Sequence, residues 1–271
     1  MTLEPGGDEM TLESGGDVVI VLAQAEESLT AEAVSWLLGN DFSAIDGVPT
    51  LVAQHLGLSA WSLALALVLA LPLGLWLAHT RRAPVVSINI ANAFRAIPAF
   101  GLLLVAFQIG GFSYPLLVLV FALIGVAPIF ANTYVGVTQV DPEIVDAAKG
   151  MGLTGTQQLF QVEIPMALPV IMAGIRTGAI NIVATVTLAA IVGFGGLGLP
   201  IISGLNRGLQ FSTTAQILAI GGAVLVAVLS VVTEAGLAGI QRLIVPKGLQ
   251  LREAAQERRA EPADQHRRVE T

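Results

Sequence analysis

Cysteine is absent from all 271 residues, which excludes a disulfide framework, a thiolate zinc site and any thiol nucleophile or redox couple. Charge is scarce as well. Asp, Glu, Lys and Arg make up 12% of the chain, against about a quarter in a soluble domain. Residues 96–140, 177–206 and 208–233 hold none of the four. The three histidines, His55, His79 and His266, lie in different regions and make no metal-ligand spacing. Neither a Ser-His-Asp set nor a pair of carboxylates stands out, so no catalytic residues and no cofactor are expected. Trp36, Trp61, Trp76, Tyr114 and Tyr134 are scattered and define no aromatic cage. What is present is apolar: 54% of residues are hydrophobic and the mean hydropathy is +0.77. Uncharged segments of that length read as membrane spans, which excludes a disordered chain and an ordinary cytosolic enzyme.

Five spans are expected: Leu58 to His79, with Pro72 as a kink, then roughly Val86 to Ile109, Pro115 to Thr138, Met166 to Val192 and Thr213 to Leu237. The chain then divides into an acidic segment over 1–50, a transmembrane domain over 51–245 and a charged tail over 246–271. Half of the acids lie in 1–50, and the first base is Arg81. With five spans the two ends face opposite sides. Arg81, Arg82, Lys149 and the seven bases of the tail fall on one side, Arg95 and Arg176 lie near its span ends, and the other side has only Arg207. The positive-inside rule puts the basic side in the cytoplasm. The chain is therefore expected to be a multi-pass cell-membrane protein with its N-terminus outside and its C-terminus cytoplasmic. Met1 to Asp17 lacks the basic start of a secretory signal, so the segment is expected to be retained. Ser28 to Leu56 is expected to lie on the membrane as an amphipathic helix. The tail alternates bases with Glu253, Glu257, Glu261, Asp264 and Glu270, which suits a solvated, partly disordered segment and not a nucleic-acid patch.

The cytoplasmic loop 139–165 breaks the apolar pattern with Asp141, Glu143, Asp146, Lys149 and Glu163. Asp141-Pro142 is an N-cap with proline at the first helical position, and Gly150 and Gly152 can stop the helix. Thr154 and Gln157 have capping-box spacing and open a second short helix through Val162, which Pro165 is expected to terminate. Two short helices between spans make a shape that docks into a groove on a soluble partner.

Asp146-Ala147-Ala148, then Gly152, then Val162-Glu163-Ile164-Pro165 resembles the EAA loop of binding-protein-dependent ABC transporter permeases, in which Glu-Ala-Ala, Gly and a closing Ile-x-Leu-Pro recur at that spacing. Asp146, Val162 and Ile164 are conservative departures. The resemblance extends over roughly 50–250. Phe94-Arg95-Ala96-Ile97-Pro98, Ala127 to Tyr134, Gly174-Ile175-Arg176-Thr177, Gly195-Gly196-Leu197-Gly198 and Pro246 to Gln250 are similar to segments of the permeases for glycine betaine, carnitine, choline or proline. The resemblance implies an all-α, MetI-like membrane bundle of about five transmembrane helices with a cytoplasmic coupling helix pair. It also implies a second permease subunit, identical or a paralogue, an extracytoplasmic substrate-binding protein and cytoplasmic ATPase subunits that close on ATP. Asp146, Ala147, Ala148, Gly152, Val162, Ile164 and Pro165 are then the ATPase-coupling positions. Alanines and glycine allow close approach, and Asp146 can cap or pair across the interface. Neither Lys149 nor Lys247 follows a phosphate-cradling glycine loop, so ATP hydrolysis is expected in a separate subunit.

Polar groups inside the spans need partners. Asn92, Arg95, Asn132, Thr133, Tyr134 and Asn181 are the candidates for lining the pathway, with helix-helix hydrogen bonds as the alternative. Arg95 and Arg176 either snorkel to the cytoplasmic surface or face the pathway. Glu234 is expected to pair with Arg242 or to reach water. Gly193-x-Gly195-Gly196-x-Gly198 formally fits a dinucleotide fingerprint but lacks the strand before it and the acid after it. Gly195, Gly196 and Gly198 instead suit a flexible outer gate loop, or close helix packing. The alternatives in function are a permease for another imported cargo, such as an amino acid, or an ion-coupled secondary transporter. The latter commonly shows inverted repeats and midplane ion sites, which this sequence does not display.

Overall fold

The computed structural model describes residues 47–81, 98–209 and 212–245, together with 89, 93 and 96. The acidic segment up to 46, the tail beyond 245, and Asn92 and Arg95 lie outside the described residues. Every element among those described is helical. Helix α1, Val48–His79, begins at once after Gly47 because Pro49 is preset for a first helical turn. It therefore starts ten residues before the expected span. Residues 48–56, expected to lie along the surface, belong to this helix, with Leu51 and His55 buried. Pro72 lies inside α1 without ending it. Helix α2, Ala99–Gly110, is the described part of the second expected span, twelve apolar residues that begin after Pro98. Helix α3, Tyr114–Thr138, matches the third.

The loop contributes α4, Pro142–Gly150, and the short α5, Gly155–Gln158. A π-helical turn, Leu159–Glu163, joins α5 to α6, Ile164–Val186, which passes into a 3₁₀ turn, Thr187–Val192. Helix α7, Gly198–Arg207, and helix α8, Thr213–Ile244, complete the described chain. Among the described residues, four helical runs are long and apolar enough to cross a membrane: Val48–His79, Tyr114–Thr138, Gly155–Val192 and Thr213–Ile244. At 1.5 Å per residue the 32 residues of α1 or α8 reach roughly 48 Å, well beyond a hydrocarbon core of ~30 Å. Their ends therefore project from the apolar layer or the helices tilt.

The bundle is built around α3, which lies between α1 and α6, while α8 lies against α7 and α6. Lipid is as apolar as leucine, so close van der Waals fit, and not burial from water, must hold such helices together. Glycine supplies the fit. A Cβ at Gly178 on α6 would come within 2.9 Å of Ile129 and 3.2 Å of the Gly125 carbonyl on α3. One at Gly174 would meet Asn132 and the Pro128 carbonyl. The backbones of α3 and α6 approach each other at these positions because nothing stands between them. Phe121, Ile129, Phe130 and Ile182 fill the space around the contact and are fully buried.

Candidate functional site

Helix α4 is set at its start by a side-chain cap and at its end by a glycine. The Asp141 carboxylate accepts from the Glu143 amide at 2.9 Å, closing the N-terminus. At the other end the Gly152 amide reaches the Lys149 carbonyl at 2.9 Å, and the Leu153 amide reaches the Ala148 carbonyl at 3.2 Å. That pair of bonds is a Schellman motif, and it requires the left-handed φ of +84° that Gly152 adopts. Val145 and Ala148 turn toward the bundle, Ala148 only 1% exposed, whereas Asp146, Ala147, Lys149, Gly150 and Gly152 face out. Ala148 was expected to let a partner approach. Its side chain is instead buried within this chain, where α4 packs against α5 and the π turn, and Ala147 offers the outward methyl. Asp146 pairs with Lys149 one turn on, at 3.0 Å, with both side chains exposed. Beside them stand Met151 at 74% and Phe160 at 63% exposure. Two large apolar side chains thus border an outward-facing polar turn.

The expected capping box is present: Gln157 Oε1 accepts from the Thr154 amide at 2.8 Å, and the Thr154 hydroxyl accepts from the Gln157 amide. Pro165 does not end the helix that follows. The Ile164 amide bonds the Leu159 carbonyl, five residues back. This widened turn absorbs the missing proline donor and gives the ring room, so the chain runs on into α6. Val162, Ile164 and Pro165 lie half-buried along this passage. The same turn brings Gln158 and Glu163, five residues apart, to one buried face. Gln158 donates to the Leu153 carbonyl at 2.8 Å. Glu163, 3% exposed, accepts from His79 Nδ1 at 2.6 Å across 84 residues of sequence. His79 is the last residue of α1. Sequence reasoning did not find this pair, since its only signal is a histidine and a carboxylate at the edges of two apolar runs.

Within the spans, Asn132 is half-buried and donates to the Pro128 carbonyl at 2.8 Å. Asn181 lies exposed on α6, one turn beyond exposed Thr177. Thr133 and Tyr134, expected with them, belong to the protomer core. The Thr133 hydroxyl donates to the Ile129 carbonyl at 2.7 Å, and its Cβ faces Gly74 of α1, while Tyr134 stacks on Phe130 at 6.4 Å. Thr133 lies on the face of α3 that α1 covers. Arg176, about a third exposed, pairs with Glu234 of α8 and donates to Gln241 Oε1 at 3.0 Å. The partner of Glu234 is therefore an arginine from another span.

The glycine segment Gly193 to Gly198 is seated on α1. Gly193 takes a left-handed φ of +87° and ends the 3₁₀ turn. The Gly196 amide donates to Gln54 Oε1 at 2.8 Å, and a Cβ at Gly195 would strike that same carboxamide. The Leu197 amide points at His55 Nδ1, 3.3 Å away, and the opposite ring nitrogen reaches the Val183 carbonyl at 2.9 Å. With Nδ1 accepting, Nε2 carries the proton and donates. His55 is fully buried. A Cβ at Gly198 would collide with the Thr187 carbonyl. The segment is thus held by named contacts, and α7 continues from it to meet α8 closely at Gly204 and Gly222.

This arrangement has known counterparts. Residues 70–246 match the family of binding-protein-dependent transport system inner membrane components. The chain is 35% identical over 197 residues to the glycine betaine/carnitine/choline transport system permease protein OpuCB of Bacillus subtilis, covering 73% of this chain and 88% of that protein. It is 34% identical to the carnitine transport permease protein OpuCD of Listeria monocytogenes, covering 71% and 84%. It is 33% identical to the osmoprotectant import permease protein OsmW of Salmonella typhimurium, covering 74% and 93%. In fold it is similar to a chain of the MetNI methionine ABC transporter in inward-facing form, with a TM-score of 0.61 and 23% identity, over 73% of this chain and 96% of that one. An ion-coupled secondary transporter is thereby set aside. The chain belongs to the binding-protein-dependent transport system inner membrane components and is a multi-pass permease subunit of an ABC importer.

Proposed function

We propose that this permease carries a compatible solute of the glycine betaine, carnitine, choline or proline class into the cell, driven by separate ATPase subunits that dock on α4, α5 and the π turn. The observation that carries this reading is the outward face of the 142–165 loop. Met151 and Phe160 stay exposed beside Asp146, Ala147 and Gly152, and exposed apolar side chains rimmed by polar ones mark an interaction site. In this reading the loop and the C-terminus are cytoplasmic, in line with the distribution of bases. The N-terminus and the Gly195 to Gly198 segment face outward, toward an extracytoplasmic binding protein.

The pathway runs between two permease subunits, identical or paralogous. Asn181 on the exposed side of α6 carries a carboxamide that lipid could not satisfy, and exposed Thr177 and half-buried Asn132, which bond the Ala173 and Pro128 carbonyls of their own helices, add further polar groups. They suit a surface covered by a second subunit or by the passing solute. Specificity then resides largely in the binding protein. The cargoes for which the relatives are named support the solute class. Uptake by the complete transporter in proteoliposomes tests it. Radiolabelled glycine betaine, carnitine, choline or proline accumulates only with ATP inside and binding protein outside, and persists when proton and sodium gradients are collapsed. Uptake of an amino acid such as methionine in place of all four overturns the solute assignment.

A further inference from the structure

His79 lies where three parts of the chain meet. Its Nδ1 bonds the buried carboxylate of Glu163 at 2.6 Å, and its Nε2 lies 3.4 Å from where a Cβ at Gly155 would stand. Gly155 opens α5 and Glu163 closes the π turn, so one side chain from the end of α1 touches both ends of the second coupling element. The contact is polar and buried on the Glu163 side, with side-chain exposures of 24% and 4% for His79 and Glu163. A carboxylate in such a place is costly to leave without its partner. The two elements therefore move together or part at a penalty. α4 shares no comparable side-chain bond with α1 among the described residues.

We propose that the His79–Glu163 pair is the joint through which displacement of the coupling loop reaches α1, making both positioning residues for coupled transport. The proposal rests on reading the loop as the ATPase dock. Through α6, the loop is already continuous with one side of the α3 contact. The pair supplies a second point of attachment, at the cytoplasmic end of α1 in this reading, on the other helix that packs against α3. A loop attached at both points swings α1 and α6 as a unit around α3. Attached through α6 alone, the loop would reach α1 only through packing along the bundle and the distant His55 bond to the Val183 carbonyl, leaving the loop-side end of α1 free to lag behind ATP closure.

The test uses the full transporter with its ATPase and binding protein in proteoliposomes, given glycine betaine, carnitine, choline and proline together as labelled cargo. Glu163→Leu and His79→Leu are expected to keep the ATPase bound and hydrolysing, while solute carried per ATP falls about tenfold, the scale of a typical coupling energy between sites. The double Leu variant is expected to be no worse than either single one, because both remove the same interaction. Glu163→Gln, which keeps an acceptor for Nδ1, is expected to retain most of the wild-type ratio. Since the chain has no cysteine, a His79→Cys/Glu163→Cys variant can be bridged with a bifunctional thiol reagent. Bridging is expected to restore the ratio, which a loss of folding could not do. An unchanged solute-to-ATP ratio in the Leu variants with ATPase bound overturns the joint and leaves the docking reading standing. A wild-type chain that binds no ATPase overturns both.

Discussion

Arg176 on α6 and Glu234 on α8 form an ion pair inside the apolar part of the molecule, with Gln241 bonded to the same guanidinium. Much of the surface of α8, including Val224, Val228, Val231 and Val232, is open. Truncating one partner strands the other charge in a medium that cannot hydrate it. Glu234→Ala is expected to lower stability by about 1–3 kcal/mol, below the full penalty of a buried pair because each side chain is about a third exposed. Thermal unfolding of the purified protein in detergent reads the loss. The reversed pair, Arg176→Glu with Glu234→Arg, is expected to recover part of it, and failure of every reversal to do better than the single variants would count against a direct pairing.

Gly178→Leu tests the close approach of α3 and α6. A Cβ alone would press on Ile129 and the Gly125 carbonyl. The helices must separate, at a cost of about 1–3 kcal/mol for overpacking. Gly236, with nothing within 4 Å of its would-be Cβ, is the control: Gly236→Leu is expected to leave the unfolding temperature nearly unchanged.

His55→Leu removes the acceptor for the Leu197 amide and the donor to the Val183 carbonyl at once. Each group left buried without a partner costs about 1–3 kcal/mol. Hydrogen exchange at the Leu197 amide is expected to rise well above that of wild type while amides in the middle of α3 keep their protection. Equal protection of Leu197 in both proteins would show that the imidazole does not hold the glycine segment.

Two substitutions at Gly152 separate backbone need from surface need. Asparagine tolerates left-handed φ and valine does not, and a Cβ at this position meets nothing within 4 Å. Gly152→Val is expected to destabilise the end of α4, whereas Gly152→Asn leaves the fold intact and interferes only if a partner closes over the site. Normal transport in Gly152→Asn would place the docking contact elsewhere on the loop.

How much of this was written in the sequence depends on range. Local chemistry was legible: Asp141-Pro142, Gly152 and the Thr154/Gln157 box set the ends of α4 and α5 as their spacing requires. The uncharged runs located four of the five expected spans among the described residues, although α8 runs seven residues beyond its expected end and α1 begins ten residues early, because Pro49 fixes its start independently of hydropathy. The π turn was not legible. At 100° per residue Gln158 and Glu163 would stand about 140° apart on an α-helix, yet the five-residue repeat puts both on the buried face. Nor could periodicity reveal which face of α3 meets α1, which is why Thr133 read as a pathway group. Pairings across the bundle, His79 with Glu163 and Arg176 with Glu234, carry no local signature at all.

The docking face tests the central claim most directly, and the absence of cysteine makes the measurement clean. A single cysteine is introduced at Ala147, which points outward, with a second preparation at buried Ala148 as the internal control. Each is treated in native membranes with a short thiol-directed cross-linker, and the adduct is identified by mass spectrometry. The account predicts that position 147 captures a P-loop ATPase and that position 148 captures little. Efficient insertion with no ATPase captured at 147, or at its exposed neighbours Lys149 and Met151, would contradict it.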